Sequence, residues 1–248
     1  MSLHNEWAKI TRYFPPTRQE WLEFLLVALI FGFVISFNEW GAGAFDALEG
    51  LRNLLLATLL CALALAVHHG AQRLVGLRFD SRVQHHVWWT GLMLSLLFAF
   101  ISRGALPFLA ATGTTVEDMP LHRLGHFRYK LGALAQMWIQ LAGPIANVIV
   151  AFVLWLLIRT TVLAGGIAST FVGINVMMAV LNLLPIPPLD GTRVFFVSRL
   201  FYAVAFGAVL AGGLTYVLSP AVTPLLLIII TMAGAIVAGV GWHYAFEK

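Results

Sequence analysis

Two adjacent histidines and a glutamine one turn later, His68-His69-Gly70-Ala71-Gln72, stand where a long apolar run gives way to polar residues. On a helix His68 and Gln72 occupy positions i and i+4 and share a face, a spacing at which two side chains can hold one metal ion. A second feature lies far downstream. Asn182-Leu183-Leu184-Pro185-Ile186-Pro187-Pro188-Leu189-Asp190-Gly191 closes another apolar run with prolines and places Asp190 at the start of the next. A carboxylate near membrane depth is costly, so Asp190 is a candidate site residue, and with His68 a candidate metal ligand. Gly143-Pro144-Ile145-Ala146-Asn147 puts a proline and an amide inside an apolar run. A buried amide needs a partner there, so Asn147 is expected to face the protein interior. His85-His86 and the i, i+4 pair His122/His126 complete the set of candidate ligands, although Gly125 weakens a helix across the latter pair.

The elements that must position these groups are membrane helices. The 248 residues are 60% hydrophobic and 10% charged, with a mean hydropathy of +0.88. Soluble domains carry about 25% charged residues, so the composition predicts an integral membrane protein. The formal charge of +4 comes without a basic cluster interleaved with aromatics, which argues against nucleic acid as a partner. Basic residues flanking membrane helices explain it. The single cysteine, Cys61, excludes an internal disulfide. Lys9, Arg12 and Arg18 ahead of Leu22–Phe37, with Ala42-Gly43-Ala44 after it, loosely resemble a signal peptide. The polar lead is long for a signal, and the segment is expected to remain as a helix.

In order, residues 1–20 form a cytoplasmic N-terminal segment, broken by Pro15-Pro16, and 21–248 a single membrane domain. Apolar runs predict spans at about 21–40, 54–77, 131–158, 162–184, 194–218 and 221–242, each near the roughly 20 residues a crossing requires. Val87–Ile101 is shorter. If it dips into the bilayer and returns, thirteen of the fifteen basic residues fall on the cytoplasmic side and only Arg52 and Arg159 fall outside. If it crosses, the split is seven against eight. The positive-inside rule thus favours six spanning helices, a membrane-dipping 87–101 segment, and both termini in the cytoplasm. His68 and Asp190 then both lie toward the cytoplasmic half. The fold class expected is an all-α polytopic membrane protein.

With these residues in place, the chain resembles the site-2 protease family of intramembrane zinc metalloproteases. Asn182, Pro185, Leu189, Asp190 and Gly191 match the family's N-x-x-P-x-x-x-L-D-G segment at each fixed position, and Gly143, Pro144 and Asn147 match its G-P-x-x-N helix. The order of the segments also agrees, over about residues 54–200. The resemblance implies a site-2-protease-like core. It also makes Asn147, Asn182 and Pro185 positions that contact a substrate or a neighbouring helix.

The departure lies in the metal motif. In H-E-x-x-H two histidines bind zinc and the glutamate is the general base. Here His68 keeps the first ligand position, His69 replaces the base and Gln72 replaces the second ligand. A neutral amide is a poor zinc ligand, and a catalytic zinc takes three protein ligands plus water. Without the carboxylate, the expected proton acceptor is gone. The leading expectation is therefore a pseudoprotease, in which His68, His69, Gln72 and Asp190 are vestigial. Such a protein needs no cofactor and acts as a structural or binding subunit of a membrane complex, with the lipid bilayer and another membrane protein as partners. The alternative is an active intramembrane zinc metalloprotease with unusual ligands, such as His68 and Asp190 with a histidine from another pair. A transporter would also use interrupted helices with buried polar groups, but it predicts an internal repeat, and none is visible. More plainly, the histidines can be interfacial or hydrogen-bonded residues, Asp190 a helix N-cap or a partner of Arg193 or Arg199, and the asparagines interhelical donors.

Overall fold

In a computed structural model, the residues described are 3–41, 44–119, 131–160, 166–218 and 223–246. They fall into two compact units, Met1–Gly143 and Pro144–Lys248. The first contains α1 (Leu3–Tyr13), α2 (Arg18–Ile35), α3 (Ala47–Arg78), β1 (Ser81–Val87), α4 (Trp89–Ile101), β2 (Thr112–Asp118) and the start of α5 (Ala133–Arg159). The second contains the rest of α5, then α6 (Ile167–Asn182), α7 (Asp190–Val197), α8 (Arg199–Leu218) and α9 (Pro224–Phe246).

Local chemistry sets the helix starts in the first unit. Thr17 and Glu20 form a reciprocal capping box at the head of α2, satisfying two amides that would otherwise lack partners. Asp46 accepts from the amides of Leu48 and Glu49 and so starts α3. At 32 residues, α3 is about 48 Å long, more than the roughly 30 Å hydrocarbon thickness. Its last turns, which carry His68 to Arg73, therefore extend past the apolar run.

The chain does not remain helical after α3. The polar stretch after α3 and the segment after α4 are strands, and β1 and β2 pair antiparallel from Ser81↔Asp118 to Val87↔Thr112. The all-α expectation is corrected by this hairpin, which carries His85 and His86 on β1. Alternation supplies the reason: β1 buries Ser81, Val83, His85 and Val87 on one face, a period of two that a polar composition obscured.

The hairpin also defines the path of α4. The Trp88 amide donates to the Ala111 carbonyl at 2.8 Å, so residues 88–111 leave from one end of the hairpin and return to it. Thirteen residues of α4 reach about 20 Å. The reversal is made at Arg103 (φ 53°) and Gly104 (φ 77°), in the left-handed region that glycine adopts without strain.

Among the described residues, four helices are long and apolar enough to cross a bilayer: α3, α5, α8 and α9. The two other expected spans differ. Helix α2 carries Arg18, Glu20 and Glu23 in its first turns, and α6 has sixteen residues, about 24 Å. In the second unit, α8 and α9 pack through glycines. A Cβ on Gly207 would lie 2.4 Å from that of Ala238, and one on Gly234 equally close to that of Ala211. Small residues let the two backbones approach, the usual basis of helix association in lipid.

Candidate functional site

The histidine-bearing turn of α3 is packed into the first unit with almost no exposure. His68, His69, Gln72 and Arg73 are all buried, Gln72 completely. Gln72 spends its whole amide on neighbours. Its Nε2 donates to the Gln140 carbonyl of α5 at 3.2 Å. Its Oε1 meets His85 Nε2 of β1 at 2.8 Å and accepts from the Thr114 hydroxyl of β2 at 3.3 Å. The amide thus ties α3 to α5 and to both strands. Since its NH2 is committed to a carbonyl, its oxygen is the acceptor and His85 carries a proton on Nε2.

His69 stacks on His85. The ring centroids are 3.8 Å apart and the planes 17° from parallel, while His68 meets His69 edge to face at 5.9 Å. Burial, and then the charges of His69, Arg73, His68 and His86, hold His85 well below the usual imidazole range. The His68 ring lies over Gly143: a Cβ there would be 2.4 Å from Nε2 and 2.5 Å from Cδ2. His68 thus rests on the glycine of Gly143-Pro144.

Five residues that sequence reasoning did not select complete the arrangement: Glu20, Glu23, Arg73, Thr114 and Gln140. Arg73 donates from Nη2 to Glu20 Oε1 at 2.6 Å and from Nη1 to the Phe14 carbonyl at 2.7 Å. The same Glu20 oxygen accepts from the His85 amide at 3.1 Å, and Glu23 Oε2 accepts from the Val87 amide at 2.8 Å. Two carboxylates three residues apart on α2 therefore cap alternate amides along the edge of β1, satisfying donors that an open strand would leave exposed. The only signal for this in the chain was the Thr17-x-x-Glu20 capping box, which marks a helix start and says nothing about a strand.

His69, His85 and Gln72 do not together form a zinc site. A metal–imidazole bond lies in the ring plane, and the planes of His69 and His85 run nearly parallel, so both rings cannot aim a lone pair at one ion. Gln72 supplies an amide already committed to three neighbours. Among the described residues, no group of three His, Cys, Asp or Glu side chains is placed to hold an ion. His122 and His126 lie outside the described residues.

The remaining predicted positions belong to the second unit. Asn182 ends α6, is buried, and donates from Nδ2 to the Met178 carbonyl at 2.9 Å. Pro185 lies in the connection to α7. Asp190 is the first residue of α7 and only 4% exposed; the N-cap position is Leu189. The capping expectation is thus displaced by one residue, although a carboxylate in the first turn still suits the helix dipole. Asn147 is fully buried, and neither of its amide atoms has a hydrogen-bond partner among the described residues. Gly191 is tightly held, since a Cβ there would lie 2.0 Å from the Leu183 carbonyl oxygen.

Fold and site together define a mostly helical protein of membrane-crossing type, with a buried polar cluster where α3 meets a hairpin. The chain is similar to a Methanocaldococcus jannaschii protein named a putative zinc metalloprotease: 27% identical over 162 residues, covering 61% of this chain and 74% of that protein. That distant similarity supports a relationship to metalloproteases. No family profile matches the chain, and no solved structure matches it.

Proposed function

We propose that this chain is a site-2-protease-like membrane protein in which the α3 motif has been converted from metal chemistry to structure, and that it serves as a non-catalytic binding subunit for another membrane protein. The observation that carries the reading is the Gln72 amide, which stands at the second ligand position and is used up by Gln140, His85 and Thr114. The stack of His69 on His85 adds support, because it occupies the position where the family places its base. The return of residues 88–111 to their own hairpin supports a membrane dip there. The exposed apolar faces of α8 and α9 suit lipid and a neighbouring helix.

Metal analysis of the detergent-purified protein tests this reading. We expect zinc far below one equivalent, unchanged by His68→Ala or Asp190→Ala. One equivalent of zinc that either substitution removes would overturn it. The second reading, an active intramembrane metalloprotease with His68 and Asp190 among its ligands, is favoured by the name of the Methanocaldococcus jannaschii relative. It requires that zinc, together with cleavage of a transmembrane substrate that the same substitutions abolish.

A further inference from the structure

A half-open cavity of about 420 Å³ lies in the second unit, among α5, α6, α8 and α9. That volume falls within the range that small ligands occupy. Val148, Phe152 and Trp155 form its α5 wall, and Ala208 and Tyr216 belong to its α8 wall. The lining is almost entirely hydrocarbon. The Tyr216 hydroxyl is spent on the Ser169 carbonyl at 3.1 Å, and the Trp155 indole nitrogen is shut away from the surface. Neither offers a hydrogen bond to a ligand, so whatever is held inside is apolar.

The cavity approaches one end of the unit. Helix α5 ends at Arg159, one turn beyond Trp155, and α8 ends at Leu218, close to Tyr216. Val148, Phe152, Trp155 and Arg159 recur at intervals of three and four, so they share one face of α5. A long helical side chain leans toward the N-terminus, which carries the Arg159 guanidinium back over the Trp155 turn. In residues 144–189 and 200–246, Arg159 is the only Lys, Arg, Asp or Glu. The fixed charge that α5 and the two apolar helices α8 and α9 bring to this end is therefore positive.

We propose that this groove holds one acyl chain of an anionic glycerophospholipid, with the lipid phosphate at Arg159. Depth selects the chain. From Val148 to Arg159 the helix rises about 16 Å, and one leaflet of hydrocarbon is about 15 Å, half of the bilayer core. The groove thus runs along one leaflet's chain, between helices long and apolar enough to cross the membrane. A chain seated there makes the van der Waals contacts that an unfilled void forfeits. Charge selects the headgroup. A guanidinium forms paired hydrogen bonds with phosphate oxygens, and its charge favours a net-negative lipid over a zwitterion. The inference rests on the second unit alone, so the zinc measurement leaves it untouched.

Native mass spectrometry of the full chain released from detergent micelles tests the assignment, with phosphatidylglycerol and phosphatidylcholine of identical chains as probes. One retained phosphatidylglycerol is expected, bound about fivefold more tightly than phosphatidylcholine, the ratio that one basic side chain near a membrane surface confers. Arg159 is exposed at a helix end, so Arg159→Gln leaves the fold intact and should bring the two lipids level. Ala208→Phe places a ring in the groove and should abolish retention of both. Inorganic phosphate and short-chain dihexanoyl-phosphatidylglycerol should fail to displace the bound lipid. Equal retention of the two lipids by the unmodified protein, or a preference unchanged by Arg159→Gln, would overturn the proposal. So would retention unaffected by Ala208→Phe. Displacement by phosphate would reduce the site to a headgroup contact, and displacement by oleate would assign the groove to a free fatty acid; either result also overturns it.

Discussion

Gln72 Oε1 lies 2.8 Å from His85 Nε2, joining the last turns of a membrane helix to a strand thirteen residues later. Because the same amide also reaches Gln140, one side chain fixes the relative placement of α3, β1 and the start of α5. Gln72→Leu keeps the bulk and strands the His85 donor and the Gln140 carbonyl. Each buried group left unpaired costs about 1–3 kcal/mol, so a loss of about 2–5 kcal/mol is expected in denaturant titrations in mixed micelles. A change within experimental scatter would mean that the amide is not structural.

The Arg73–Glu20 pair, with side chains 8% and 10% exposed, makes a different prediction. Removing one partner of a buried pair leaves an uncompensated charge, so Glu20→Gln should destabilise by about 3 kcal/mol. The double variant Glu20→Gln/Arg73→Met should be less destabilised than the two single variants summed, because no charge remains stranded. Strict additivity would show that the pair is not coupled.

Two glycines of the segments that resemble the protease family should respond unequally to alanine. At Gly143 the new methyl meets the His68 ring, a side chain that can shift, and about 1–2 kcal/mol is expected. At Gly191 it meets the carbonyl oxygens of Leu183 and Leu184, backbone that cannot shift alone, and the loss should reach about 3 kcal/mol or more. Thermal unfolding of the two variants side by side checks the order, which a reversal would contradict.

The depressed titration of His85 sets a pH dependence. The folded state keeps this ring neutral, whereas the unfolded chain protonates it below about pH 6.5. The unfolded state then holds more protons, so stability is full above about pH 7 and declines on acidification by up to about 1.4 kcal/mol per pH unit. Between pH 7 and 5 a loss of about 1–2 kcal/mol should be attributable to this residue. His85→Gln, which retains a donor toward Gln72, should flatten that part of the profile. An unchanged slope in the variant would assign the acid sensitivity to other groups.

Much of this was legible in the chain itself. The apolar runs located α3, α5, α8 and α9, because a bilayer demands length and hydropathy that few other structures require. The spacing of His68 and Gln72 placed them on one face, and Leu189-Asp190-Gly191 marked a sharp helix start after a proline-rich break. The resemblance of the segments, and the expectation that His69 and Gln72 stand at a base and a ligand position, likewise needed only residue identities. Tertiary structure alone decided what those two residues touch. The hairpin was not legible in the chain, because a two-residue period in a short polar segment gains meaning only when one face is buried. Glu20 and Glu23 carry no local sign of their role, because the amides they satisfy belong to β1, more than sixty residues away. Gln72, a weak metal ligand by its chemistry, became a three-way tie because packing brought Gln140, His85 and Thr114 within reach. Such hydrogen bonds join residues up to 68 positions apart, and no local pattern encodes a partner at that distance.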